Sequence, residues 1–173
     1  MYELRHGRFE GLMETEMLGL DIDDETVIHN TSDDYYTPPF IFEKLGLEFD
    51  LDVAGPWGGI PWLPAKKTYT VIDNGLDQAW EGRVWCNPPF SDTAPWARRM
   101  LQHGNGIALV PMSKTKWFNQ LWANADGVLA LPNDMKFKRR SGEEKGIFMP
   151  TVLFAFGGDN LAALKSSGLG HVR

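Results

Sequence analysis

Residues 106–112, Gly-Ile-Ala-Leu-Val-Pro-Met, are an unbroken apolar run between Asn105 and Ser113. A strand with no polar face must be covered on both sides, which is the mark of a parallel sheet. The segments around it agree. Ala94 to His103 reads as a helix closing at Gly104, Lys116 to Ala125 as another helix, Gly127 to Leu131 as a strand and Thr151 to Phe156 as the last strand. Upstream, Phe49 to Ala54 is a short strand ending in Gly55-Pro56, and Arg83 to Cys86 is a second one, stopped by Asn87-Pro88-Pro89-Phe90. Between them, Gly55 to Pro64 holds three Gly, three Pro and two Trp and reads as a loop. The β-branched and aromatic stretch Thr68 to Ile72 runs into the turn signal Asp73-Asn74-Gly75. A helix follows Thr37-Pro38-Pro39, with Thr37 as its expected N-cap and Gly46 as its stop. Strands alternating with helices of about ten residues specify an α/β sheet, not a sandwich or a bundle.

The 173 residues fit one domain, and a chain that is 43% hydrophobic has enough apolar surface for a core of its own. A wholly disordered chain is excluded. The single Cys86 cannot form an internal disulfide, and no Cys/His group has metal-ligand spacing, so neither a disulfide scaffold nor a metal centre is expected. No stretch approaches the roughly 18 apolar residues of a membrane span, which points to a soluble, cytoplasmic protein with no membrane partner. The net charge of −6 is unevenly spread: ten acids and no Lys or Arg lie between Phe9 and Glu43, whereas Lys44 to Arg173 holds 15 basic residues against 12 acids. We therefore divide the chain into an acidic, poorly ordered extension over residues 1–31 and a mildly basic domain over 32–173, compatible with a polyanionic partner. Oligomeric state is not encoded in any feature of the sequence.

In open α/β sheets ligands sit beyond the carboxyl ends of the strands. Asp52-Val53-Ala54 and Asn87-Pro88-Pro89-Phe90 occupy such ends. Two prolines stiffen the main chain and remove two N–H donors, so the Asn87 amide oxygen and the Pro88 carbonyl become rigid acceptors beside the plane of Phe90. That combination suits the capture of a planar NH₂ group. The four histidines, His6, His29, His103 and His171, are scattered away from this motif and are read as non-catalytic, and Cys86 as a buried small residue.

Five ordered blocks carry a resemblance: Thr37-Pro38-Pro39; Phe49 to Ala54; Asp73-Asn74-Gly75-Leu76 with Trp80; Val84 to Phe90; and Pro150 to Phe156. Together they resemble the phage-type DNA N6-adenine methyltransferase family over about Asp33 to Gly157. The resemblance implies a Rossmann-like sheet, reduced in size and mostly parallel with an antiparallel last strand. It also implies S-adenosylmethionine (SAM) as methyl donor and an adenine flipped out of DNA as acceptor, in a phage or prophage setting. Under it, Asn87 and the Pro88 carbonyl accept from the adenine amine, Pro89 shapes the turn and Phe90 stacks on the base. Thr37 and Pro38 match the block contacting the methionine half of the donor; Asp52, Val53 and Ala54 match the donor-binding block, and Asp73 is assigned to the donor's ribose or adenine.

The sequence also departs from the family pattern. Gly55-Pro56-Trp57-Gly58-Gly59 replaces the usual glycine-rich donor loop, and the 13 residues between Ala54 and Thr68 leave no room for the normal crossover helix. Phe90 stands where Tyr is commoner. There is no space for a separate target-recognition domain, which assigns DNA contact to two basic loops, Lys114 with Lys116, and Lys136, Lys138, Arg139 and Arg140. Two other functions fit the same residues: methylation of a protein glutamine amide or an RNA adenine, and a catalytically inactive nucleic-acid-binding relative. A steep salt dependence separates DNA from protein acceptors, and failure to bind SAM marks the inactive relative.

Overall fold

Strand β3 (Gly106–Pro111) is buried at every residue, as its apolar run requires. It is the centre of a five-stranded sheet that a computed structural model, describing residues 35–173, orders as β1 (Leu51–Asp52), β2 (Val84–Cys86), β3, β7 (Thr151–Phe156) and β4 (Gly127–Ala130). The acidic extension expected over residues 1–31 lies outside the described residues. Strands β1, β2 and β3 pair in parallel, while β7 runs antiparallel to both β3 and β4. Four of the five strands therefore share one direction, and the last strand is inserted against them. Between β4 and β7 stands a small separate hairpin of β5 (Lys136–Lys138) and β6 (Glu144–Gly146).

The alternation of side chains along the strands builds two cores. Trp85, Ile107, Leu109, Leu129, Leu153 and Ala155 face one way, where they meet Ile41, Phe42 and Leu45 of helix α1 (Pro39–Leu45), Leu164 of α4 (Gly158–Ser166) and Phe137 of the hairpin. Val84, Cys86, Ala108, Val110, Val152 and Phe154 face the other way, against Trp96, Ala97 and Met100 of α2 (Thr93–His103) and Phe118 and Leu121 of α3 (Lys116–Asn124). Helix α1 ends at Gly46 and α2 at Gly104, both in the left-handed conformation that lets the last turn close on its own carbonyls.

Two expectations are corrected, for Thr37 and for the basic segment 136–140. Thr37 is not the N-cap of α1: Pro38 takes that position and no side chain caps the helix. Thr37 is instead fully buried. The stretch 68–72 adds no strand to the sheet; Thr68 makes a single bridge to Asp52, and a turn begins at Val71. The basic segment 136–140 is no plain loop, because Phe137 between Lys136 and Lys138 is wholly buried and turns the triplet into a strand. As the short spacing implied, residues 53–83 link the parallel strands β1 and β2 without any helix.

Candidate active site

The carboxyl ends of β1, β2, β3 and β4 point to one edge of the sheet, and nearly every residue assigned from the sequence emerges there. Asp52 closes β1 and Asn87 follows β2, with Asp52 paired to Trp85 and Val53 N–H donating to Trp85 O at 3.1 Å. The two segments thus leave the sheet side by side. Lys114 and Lys116 follow β3 at the start of α3, and the β5–β6 hairpin follows β4.

Pro88 is buried, while Asn87, Pro89 and Phe90 are partly so; Phe90 begins a single 3₁₀ turn over Phe90–Asp92 with its ring against the apolar cluster of α1. The side-chain nitrogen of Asn87 donates to Tyr35 O at 2.9 Å and to Thr37 Oγ1 at 3.4 Å. A carbonyl only accepts, so the NH₂ must face Tyr35 and the amide oxygen must face the other way. Thr37 is itself anchored by Trp62, whose Nε1 donates to Thr37 O at 2.8 Å. Sequence reading paired Thr37 with the donor; the fold places its hydroxyl on Asn87.

Asp52 is 2% exposed, and one of its oxygens accepts only a long bond from Ala54 N–H, at 3.3 Å. Its other oxygen, Oδ2, has no hydrogen-bond partner among the described residues. Burial with so little compensation pushes the carboxyl up to about 7, against a small opposing pull from the Ala54 amide. Gly55 lets the backbone pass close to that oxygen: a Cβ there would lie 2.5 Å from Asp52 Oδ2 and collide with the Thr68 methyl. A buried carboxylate with an unsatisfied oxygen suits a cationic partner. The neighbouring Cys86 is fully buried, and desolvation, reinforced by the Asp52 charge, drives its thiol far above the ordinary value. It has no character of a nucleophile.

Asp73 lies at the surface and holds its own turn, accepting from Thr70 N–H at 2.7 Å and Thr70 Oγ1 at 3.0 Å, which lowers its pKa. Its turn nevertheless packs against the segment after β1, since a Cβ on Gly75 would collide with Val53 O. His103 sits at the opposite edge, bonded to Gly82 O at 2.8 Å.

Of the basic residues, Lys114, Lys116, Lys136 and Arg140 are exposed. Lys138 is half-buried, 3.5 Å from Glu144, with its ammonium 6.0 Å from the Trp62 ring centre. Arg139 is also half-buried and stacks over Tyr35. Tyr35, Trp62 and the structural part of Arg139 were not legible from sequence, because a backbone acceptor and a cross-chain stack leave no local motif. Among the described residues no group of His, Cys, Asp or Glu is arranged to hold a metal, and no helix is long and apolar enough to cross a membrane.

No curated protein and no solved structure matches the chain. A family model described as DNA N-6-adenine-methyltransferase (Dam) matches residues 25–146, well over half the sequence and inclusive of Asp52, Asn87 and the β5 strand. The chain belongs to the DNA N-6-adenine-methyltransferase (Dam) family.

Proposed function

We propose that this protein transfers a methyl group from SAM to the exocyclic amine of an adenine turned out of DNA, with Asn87-Pro88-Pro89-Phe90 as the reacting site. The observation that carries the reading is the fixed Asn87 amide, whose nitrogen is spent on Tyr35 and Thr37 so that its oxygen is presented as an acceptor. The five-stranded sheet with its last strand inserted antiparallel supports a reduced Rossmann-like methyltransferase fold.

An adenine amine is a poor nucleophile because its lone pair is delocalised into the ring. Acceptors at its two N–H groups, Asn87 Oδ1 and the Pro88 carbonyl, favour a pyramidal nitrogen whose lone pair is free. Bound here, SAM would supply an electrophilic methyl on sulfur: the N–C bond would form as the C–S bond breaks, the thioether product would leave, and the surplus amine proton would pass to solvent. In this reading Asn87 holds that proton's position, Phe90 stacks on the base and Pro89 keeps the turn. Asp52 would pair with the donor's ammonium, Val53 and Ala54 would shape the wall beside it, and Pro38 with Thr37 would close the methionine end. The exposed carboxylate of Asp73 is the contact for the donor's ribose or adenine. Catalysis then comes from orientation and preorganised dipoles, without a strong base. The site lies on a sheet edge, so a paired adenine must leave the stack to enter it, a cost offset by stacking in the pocket.

DNA contact falls to Lys114, Lys116, Lys136, Lys138, Arg139 and Arg140, all on segments that follow the carboxyl ends of β3 and β4. A phage or prophage genome in a host cytoplasm is the setting this enzyme suits. Methyl transfer from labelled SAM to unmethylated DNA, followed by nucleoside separation, tests the reading directly. Label is expected as N6-methyladenine, and Asn87→Ala should reduce it by at least about a hundredfold while the variant stays folded. Full activity in Asn87→Ala, or label on another acceptor, would reject it.

A further inference from the structure

The peptide unit that holds Asn87 is itself held by the hairpin. Tyr36 N–H donates to Lys138 O at 2.8 Å, and Lys138 N–H returns a bond to Tyr36 O at 2.9 Å. The carbonyl of Tyr35 and the N–H of Tyr36 belong to one planar trans peptide group and point in opposite directions. Pinning that N–H on β5 therefore aims Tyr35 O away from the hairpin, where it receives Asn87 Nδ2 at 2.9 Å. If the plane tilts, the acceptor moves and the amide must rotate with it.

The same element grips the Tyr35 side chain. The Arg139 guanidinium lies over the Tyr35 ring at 5.1 Å and its Nη2 donates to the Tyr35 hydroxyl at 3.4 Å, while Phe137 meets the ring edge-on at 6.1 Å. Arg139 Nε is buried and finds no hydrogen-bond partner among the described residues. A guanidinium placed only to bind a phosphate would keep its donors toward water; this one gives up a donor to lie on an aromatic ring.

We propose that Arg139, acting through Tyr35 and the Tyr35–Tyr36 peptide, is a positioning residue that sets the rotation of the Asn87 amide, so that hairpin β5–β6 contributes to the chemical step as well as to holding DNA. The inference rests on the reading of Asn87 as the acceptor for the adenine amine. A displacement of an acceptor by about 1 Å can cost a reaction on the order of a hundredfold. The hairpin thus has leverage on rate without touching the reacting atoms.

Lysine retains the charge of Arg139 but lacks the plane that stacks and the fork that reaches the hydroxyl. In steady-state methyl transfer to DNA by the full chain, Arg139→Lys is expected to lower kcat by roughly tenfold or more with little change in KM for DNA. Arg139→Ala should lose on both. Tyr35→Phe, which removes only the hydroxyl, should lower kcat less and retain the fold. A readout independent of turnover is the hydrogen exchange of the Asn87 side-chain NH₂ by NMR, expected to speed up in Arg139→Lys and Tyr35→Phe. Wild-type kcat with a raised KM in Arg139→Lys, or unchanged exchange of the Asn87 amide, would overturn the proposal and leave Arg139 as a phosphate contact. Asn87→Ala in the same assay separates the two levels. If Asn87→Ala is active, the reading of the site fails and the inference with it; if it is dead while Arg139→Lys keeps full kcat, the inference alone fails.

Discussion

Asp52 is the residue whose chemistry departs furthest from its solution behaviour. Unfolded, its carboxyl ionises near 3.8; folded, burial raises that to about 7. Below the lower value both states are protonated and burial carries no ionisation penalty. Between the two values the unfolded chain releases its proton first, so stability falls as pH rises. Above about 7 the full penalty of roughly 4 kcal/mol is in place. Cys86, the titratable neighbour that feels this charge, stays neutral throughout. Asp52→Asn should therefore match the wild type in urea unfolding at about pH 3 and exceed it increasingly from about pH 4 up to about pH 7. Parallel stability profiles for the two proteins would show that the carboxylate is solvated after all. Two residue-scale facts were open to reading from sequence: the stiffness of Asn87-Pro88-Pro89, which follows from the proline ring, and the inertness of Cys86. The pKa of Asp52 was not, because it depends on which atoms surround a carboxylate that looks like an ordinary strand-end acid.

At the scale of elements, periodicity decides what is legible. Strands β3 and β7 are buried at every position and almost wholly apolar, and are found at once, with bounds close to those expected. Helices α1, α2 and α3 likewise coincide with their signals. The hairpin escaped because its strands have three residues each and a charge-rich composition, which masks the single apolar Phe137 that defines its register. Helix α4 had no strong signal either, with Asn160 among its buried residues. The two exposed lysines Lys114 and Lys116 belong to this scale, since the start of α3 presents both at the edge that carries Asn87. If both contact phosphates, replacing the pair by alanine should weaken DNA binding and flatten the plot of log affinity against log salt by about two in slope. An unchanged slope would move the DNA path to the hairpin side of the edge.

Across the whole molecule, β7 ties the parts together by pairing along its full length with β3 and on its other side with β4. Leu153 on β7 is completely buried and faces Leu109 on β3 and Leu129 on β4 across the register. Leu153→Ala should cost about 2 to 5 kcal/mol in unfolding free energy. A loss below about 1 kcal/mol would mean that the core can collapse around the gap. The sequence by itself determined the class of fold, the apolar strands and the helices around them, the turn at Asn87-Pro88-Pro89-Phe90 and the family to which these blocks point. Each of these is local: side-chain periodicity, proline stereochemistry and the order of motifs survive without knowledge of distant contacts. Only the tertiary structure decided that β7 sits between β3 and β4, that Thr37 bonds to Asn87 instead of capping a helix, and that the Tyr35 carbonyl lies between Asn87 and the hairpin. Those arrangements join residues about fifty to a hundred positions apart. Their partners meet only in the folded chain, and one acceptor is a backbone carbonyl, which every residue carries alike, so no local pattern announces them.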